Sequence, residues 1–291
     1  MRKIKSAFIE FFSFVRSFFY LFYWLFVNCF KSDFKNHIKK DKQGETIDII
    51  VNGPSFTKQK DLVKDDGFDK CMVNFAANSS LFWELRPAYY CVSDPRFFRN
   101  AERNVEFETF FNNIKNVDWD MTFFVAYYDY KHHIVNSDLL KLPHIKFVPF
   151  HHTSFPFSFK FKKIAFWLFQ KGQAMPIPMS VSIPVIMNAI NSGYSFINLY
   201  GYDQDWIHNV VVDENNQVCL HDTHFYYEKG VLRPWKKNEN ETFKMFEMLQ
   251  TQTELFESYW FIKEYVDFLG NVKITNMSPN SLIDAFNRKK M

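Results

Sequence analysis

Between residues 221 and 228 the chain reads His-Asp-Thr-His-Phe-Tyr-Tyr-Glu, its densest group of titratable and hydroxyl side chains. An imidazole near its ordinary pKa takes a proton from a nucleophilic hydroxyl or returns one to a leaving group. His221 and His224 are therefore candidate acid–base residues. Three positions apart, they could also share a zinc ion, but no third ligand stands out in the sequence. A solvated hairpin end is the plain alternative for either histidine. His132-His133, His144 and His151-His152 read as loop and surface residues, since adjacent histidines on a strand point apart.

Two further groups invite a ligand. Asn52-Gly53-Pro54-Ser55 follows an apolar run. Glycine lets a backbone approach a ligand closely, and free amides beside a serine hydroxyl suit a phosphate. A strand-to-helix turn with Pro54 at the first helical position explains the same string without a ligand. Asp203-Gln204-Asp205 has the spacing of a carboxylate pair that holds Mn²⁺ or Mg²⁺ against a sugar diphosphate, but Asp118-Trp119-Asp120 repeats that spacing. We expect a role without metal for both pairs. The glycine pattern of dinucleotide binders and the lysine of phosphate-binding loops are both missing, which disfavours hydride transfer and ATP hydrolysis.

These groups need a frame to hold them. Short apolar runs at 46–51, 71–73, 89–92, 121–126, 145–149, 196–200 and 272–276 read as strands, most ending in a polar residue such as Asn74, Asp94 or Asp203. Helical patterns fill 182–192, closed by Gly193, and 241–269, ended by Gly270, with a last helix expected over 281–287. A hairpin is expected at 210–220, turned at Asn215-Asn216. The stretch Phe155 to Phe169 suits either a buried amphipathic helix or a membrane- or glycan-binding surface. Strands alternating with helices give an α/β fold: a single Rossmann-like domain over 46–291 with a mostly parallel sheet. Ligands of such sheets bind at the carboxyl ends of the strands, where the polar residues fall.

Ahead of that domain lies an aromatic segment, residues 1–34, and a polar linker, 35–45. The uncharged run Ser17 to Phe30 would reach roughly 21 Å as a helix, short of the roughly 30 Å hydrocarbon core. Phe, Tyr and Trp prefer the headgroup boundary, and Arg2, Lys3 and Lys5 favour anionic lipid. In-plane membrane attachment is the expectation, with a short span or a helix docked on the protein's own body as alternatives. The formal charge of +3 gives no general field for nucleic acid. Four scattered cysteines without Cys-x-x-Cys spacing suit a reducing compartment.

The order of these segments resembles the bacterial sialyltransferases of glycosyltransferase family 42. Four stretches carry the likeness: the strand with Asn52-Gly53-Pro54-Ser55, Val73-Asn74, Ser180 to Gly201-Tyr202-Asp203, and Ser278-Pro279-Asn280-Ser281-Leu282. The resemblance implies a variant GT-A fold with a lid insertion, here about residues 204–240. It implies that Asn52, Gly53 and Ser55 touch the donor phosphate and ribose, with Asn74 and Asp94 beside the donor sugar or cytidine. Ser180 and Ser182 would contact the sugar, and Asn280 and Ser281 would close over the nucleotide. A lid histidine, here His224, would be the general base, flanked by Tyr226 and Tyr227, and no metal would be needed. Departures from the family pattern are Asp94 in place of Asn, Asp205 in place of a phosphate-binding Tyr, and Glu228 near the second lid histidine.

The expected function is thus an inverting sugar transfer to a glycan or glycolipid acceptor, as in bacterial lipooligosaccharide or capsule synthesis. CMP-sialic acid or a related sugar is the first donor to test. The expected place is the cytoplasmic face of the inner membrane, peripheral or N-terminally anchored, with a homo-oligomer possible. Two other classes remain: a metal-dependent UDP- or GDP-sugar transferase using Asp203 and Asp205, and a non-catalytic nucleotide-binding protein on the same scaffold.

Overall fold

A computed structural model describes residues 2–30, 34–64, 66–99, 105–222, 231–238 and 241–289 of the chain. The β-branched and aromatic runs form, in chain order, β1 (Thr46–Ile50), β2 (Asp69–Val73), β3 (Tyr89–Val92), β4 (Met121–Ala126) and β5 (Ile145–Phe150). A short parallel pair follows, β6 (Ser154–Phe155) and β7 (Met175–Pro176), and then β8 (Phe196–Tyr200). β9 (Val210–Val212), β10 (Val218–Asp222) and β11 (Val231–Pro234) make an antiparallel sheet of their own. β12 (Lys273–Asn276) and β13 (Asn287–Arg288) complete the set. The helices are α1 (Arg2–Phe30), α2 (Ser80–Leu85), α3 (Arg96–Arg99), α4 (Val105–Lys115), α5 (Tyr127–Asp129), α6 (Lys162–Gln170), α7 (Ser182–Ser192) and α8 (Met245–Leu269).

The main sheet runs β13-β12-β8-β1-β2-β3-β4-β5, and every neighbouring pair in it is parallel. Both faces are covered, which is why its strands read as continuous apolar runs. Ile47, Ile49 and Val51 point into one core with α6, α7 and α8, while Ile50, Met72 and Tyr90 point into the other with α4. From β1 the chain steps outward to β5 and then returns to the opposite side of β1 with β8. That reversal is the topological switch point of a Rossmann-like fold, and it opens a crevice at the carboxyl ends of β1 and β8.

Several expectations hold in detail. Gly193 closes α7 at φ +99°, and Gly270 closes α8 at φ +71°. The β9–β10 turn is held by Asp213 Oδ1, which accepts the N–H groups of Asn215 and Gln217, with Asn216 at φ +58°. Others are corrected. The expected helix over 281–287 is irregular chain ending in β13, because Ser281 spends its hydroxyl on Tyr202 O and on the Ile283 N–H instead of a helical turn. His151 is a core residue, not a surface one: it packs on Phe34, accepts the Thr153 N–H at 3.0 Å, and burial pushes its pKa down to about 4. Phe155 to Phe169 resolves into an extended stretch and α6, which buries Ala165, Phe166, Leu168 and Phe169 and exposes Trp167.

The aromatic segment folds back onto the body. α1 turns Ser13, Ser17, Tyr20, Leu21 and Trp24 inward, with the Ser17 hydroxyl accepting the Lys160 N–H at 2.9 Å and Ser13 Oγ donating to Ser158 O. The opposite face leaves Phe11, Phe18, Phe19, Phe22 and Tyr23 more than half exposed. The segment after it is tied down as well, by Phe34 in the core, Asn36 to Lys171 O and Lys42 N–H to Ser192 O.

One polar cluster is buried beneath the sheet. Asp48 of β1 is inaccessible and accepts the Asn198 amide at 2.8 Å, with Asp66 and Lys70 beside it. Burial, then the hydrogen bond to Asp66, raises the Asp48 pKa to about 8. The unfolded carboxyl titrates near 4, so stability is lost as pH rises from about 4 to about 8 and is level beyond. Asn in place of Asp48 keeps both hydrogen bonds without the charge. Asp48→Asn should therefore melt about 4 °C or more above the native protein at pH 8 and close to it at pH 4; thermal unfolding followed by circular dichroism across that range checks it.

Candidate functional site

The ends of β1 and β8 touch. Val51 N–H donates to Tyr200 O and Gly53 N–H to Gly201 O, both at 3.0 Å, so the ladder continues past the strands into the two turns. Gly201 sits at φ +70°, and a Cβ there would overlap the Val51 carbonyl. A Cβ on Gly53 would overlap both the Gly201 carbonyl and the Asp203 carboxylate. Only glycine fits this approach at either position.

Asp203 then clamps the turn. Its Oδ2 accepts the Ser55 N–H at 2.9 Å, and its carbonyl accepts the Leu282 N–H at 2.8 Å. Burial raises the Asp203 pKa, the Ser55 hydroxyl and amide lower it in part, and the Asp205 charge raises it further. The C-terminal segment is stitched to the same point: Tyr202 N–H donates to Ser278 Oγ, Asn276 Nδ2 to Ser281 Oγ, and Gln59 Nε2 to Met277 O.

Around this crossing lies a cleft of about 200 Å³. Asn52, Gly53, Pro54, Asn74, Ser180, Ser182, Gly201, Asp203 and Asp205 line it, as does His221 from β10. Asn74 is held at φ +49°, its carbonyl accepting the Tyr90 hydroxyl, which in turn accepts the Ala77 N–H. A non-glycine residue in this region is costly and persists where its surroundings over-determine it. The N-terminus of the eleven-residue α7 lies at the cleft with Ser180 to Ser182. Ser180 Oγ accepts the Ser182 N–H at 3.4 Å, Ser180 O accepts the Ile183 N–H at 3.1 Å, and Pro184 has no N–H. The helix therefore offers the cleft the positive end of its dipole and not free amides. The Ser182 hydroxyl is shared with Tyr259, and Gln204 Nε2 donates to the same tyrosine oxygen.

The expected phosphate contacts change accordingly. The amides of Gly53 and Ser55 are spent on Gly201 and Asp203, so loop 52–55 does not offer them to a ligand. Unpartnered atoms at the cleft are instead Asn52 Oδ1, Asn74 Oδ1, Asp203 Oδ1 and Trp206 Nε1. Buried polar groups are normally paired, and a group of orphans at one cleft is what a hydroxyl-rich ligand would satisfy.

Other sequence candidates lie elsewhere. Asp94 accepts four hydrogen bonds from Arg96, one from its backbone and three from its side chain, the shortest 2.6 Å, and does not line the cleft. Asn280 is exposed and Ser281 is buried in the stitching network; neither lines the cleft. Asp118 pairs with Arg86, and Asp120 with His144, away from this site. His224, Tyr226, Tyr227 and Glu228 lie outside the described residues. No cluster of three or more metal-ligating side chains occurs among the described residues. Gln204, Trp206 and Asn209 line the cleft without having been singled out. Their signal was position alone, in the loop directly after the β8 glycine.

Sheet and cleft together define a Rossmann-like α/β domain with its ligand crevice at the switch point. No family model matches the chain, and no curated protein does. Among solved structures it is similar to the MAf glycosyltransferase of Magnetospirillum magneticum AMB-1, at 14% identity and TM-score 0.49, over 89% of this chain and 36% of that one. This chain thus spans about a third of that protein's length. It is also similar to the Campylobacter jejuni sialyltransferase CstII in complex with CMP-3FNeuAc (16%, TM-score 0.42, 84% and 85% covered). A third is the alpha-2,3-sialyltransferase of the same organism in apo form (13%, TM-score 0.41, 88% and 87% covered). What those proteins bind is theirs; the chemistry of this chain is read from its own cleft.

The crossing gives a direct test. Gly53→Ala should destabilise the fold by about 1–3 kcal/mol through overpacking against backbone. Chemical denaturation should show a lowered midpoint, and any nucleotide-induced rise in melting temperature should vanish with it.

Proposed function

We propose that this protein is a glycosyltransferase that takes a sugar from a nucleotide donor bound in the cleft and passes it to a glycan or glycolipid. The observation that supports it most is the set of orphaned oxygens on Asn52, Asn74 and Asp203 in one cleft with the N-terminal end of α7. In this reading the donor phosphate lies against the helix end, where the dipole is positive. The ribose or sugar hydroxyls donate to Asn52, Asn74 and Asp203. An ionised Asp203 would repel phosphate, and the upward push on its pKa weakens that repulsion.

His224 takes the proton of the acceptor hydroxyl, with His221 and Glu228 as the alternatives. The acceptor oxygen attacks the anomeric carbon opposite the nucleotide, the bond to phosphate breaks, and configuration inverts. Following the resemblance to the sialyltransferases, CMP-sialic acid is the first donor to test. A metal-dependent transfer from UDP- or GDP-sugars is favoured by one observation: Asp203 Oδ1 is unpartnered and Asp205 lines the same cleft.

A thermal-shift series with CMP, UDP, GDP and their sugars tests the donor, since a ligand of the folded state raises the midpoint with its affinity. CMP compounds should give the largest shift, and no shift from any nucleotide removes the proposal. His224→Ala should cost about 10²–10⁴ in turnover while keeping the nucleotide shift; if His224→Ala and His221→Ala both turn over normally, the base lies elsewhere. Loss of activity on chelation, restored by Mn²⁺, would move the assignment to the metal-dependent class.

The proposal places the enzyme at a membrane surface through α1. No described helix is long and apolar enough to cross a bilayer. The outward phenylalanines of α1 suit burial at the headgroup boundary, parallel to the surface. Replacing Phe18, Phe19 and Phe22 by Ser should release the protein from phosphatidylglycerol-containing vesicles in a sedimentation assay without lowering its melting temperature. Unchanged sedimentation would rule out this face.

A further inference from the structure

α8 carries two stripes. Met248, Leu255, Tyr259, Ile262 and Val266 are buried in the core. The adjoining stripe, Leu249, Gln252, Thr253, Phe256, Glu257 and Trp260, repeats at intervals of three and four and so shares one helix face. A solvated face would be polar; this one keeps Leu249 43% and Trp260 40% exposed. It forms one wall of a groove of about 470 Å³, more than twice the volume of the cleft. Phe157, Trp206, Ile207, Leu282 and Asp284 complete its lining.

Trp206 belongs to both cavities, so the groove runs up to the rim of the cleft. The connection is fixed by the chain: Leu282 is hydrogen-bonded to Asp203, and Trp206 packs edge-on against Trp235. Between the aromatic walls stand polar groups of one kind. Glu257 and Asp284 supply carboxylates, Asp284 Oδ1 accepting the Trp260 indole N–H at 2.9 Å. Gln252 Oε1 and Trp206 Nε1 are a hydrogen-bond acceptor and donor without partners. No Lys, Arg or His lines the groove among the described residues.

This combination selects one ligand chemistry. Flat aromatic faces accept the C–H face of a sugar ring, while carboxylates and unpaired amide and indole groups take its hydroxyls. A phosphate or carboxylate ligand would meet two acidic side chains and no cation. An acyl chain would leave Glu257, Asp284 and the Gln252 oxygen desolvated without partners. We infer that the groove is the acceptor subsite, holding an uncharged oligosaccharide whose terminal sugar passes Trp206 to reach the cleft. The inference rests on the transferase reading for its direction, and on the groove alone for its ligand.

Saturation-transfer NMR with lactose and maltotriose, on the whole protein without donor, tests it. Both sugars should give transfer to their ring protons. Trp260→Ala should weaken binding by about tenfold or more, Trp260→Phe should restore most of it, and the CMP-induced thermal shift should stay as in the native protein. No transfer in the native protein, or transfer indifferent to Trp260→Ala in a variant of native melting temperature, overturns the groove assignment. Sugar-free binding of phosphatidylglycerol vesicles that Trp260→Ala abolishes would assign the groove to lipid and overturn it too. If sugars bind but no nucleotide shifts the protein, the transferase reading fails while the glycan subsite stands.

Discussion

Two glycines on neighbouring strands let the backbones of β1 and β8 meet at the point where the sheet reverses direction. Gly53 and Gly201 are each in contact with the other's turn so closely that a single methyl group would collide with a carbonyl oxygen. Everything proposed for the site depends on that contact. It brings the turn after β1 against the loop after β8, it carries Asp203 under Ser55, and it leaves the cleft open above α7. A Rossmann-like sheet always has a crevice at its switch point; here the glycine pair sets how narrow that crevice is.

Hydrogen bonding divides the polar residues near the crossing into two groups. Ser278, Ser281 and Asn276 are consumed in joining the C-terminal segment to β8, and the amides of Gly53 and Ser55 are consumed in joining β1 to it. Asn52, Asn74 and Asp203 each keep an unpaired oxygen. The first group holds the site in place and the second is available to a ligand. Asn-Gly-Pro-Ser contains members of both groups and Pro-Asn-Ser-Leu only of the first, so a motif alone does not say which residue binds.

The surroundings extend the same logic outward. α1 is fastened by two serines and a stripe of aromatic contacts, which frees its other face for a surface. α8 buries one stripe to build the core and exposes the next beside Trp206, so one helix serves both stability and a groove. In this arrangement a glycan held along α8 and a donor held at α7 would meet at Trp206, with the β10 histidine His221 facing the same cleft.

The sequence by itself determined the elements whose signals are local. Apolar β-branched runs gave the parallel strands, Gly193 and Gly270 marked helix ends because a left-handed residue must stand there, and Asn215-Asn216 marked a hairpin turn. It also singled out most residues of the cleft, since they follow strand ends. Tertiary structure decided what depends on partners far along the chain. It turned 281–287 from helix into stitching, buried His151, gave Asp94 to Arg96, and occupied the loop amides that a phosphate would have needed. It alone brought Trp206 between the cleft and a groove on α8. The reason is physical: a propensity is a property of neighbours in sequence, whereas the availability of a hydrogen-bonding group is settled by whichever distant atom reaches it first.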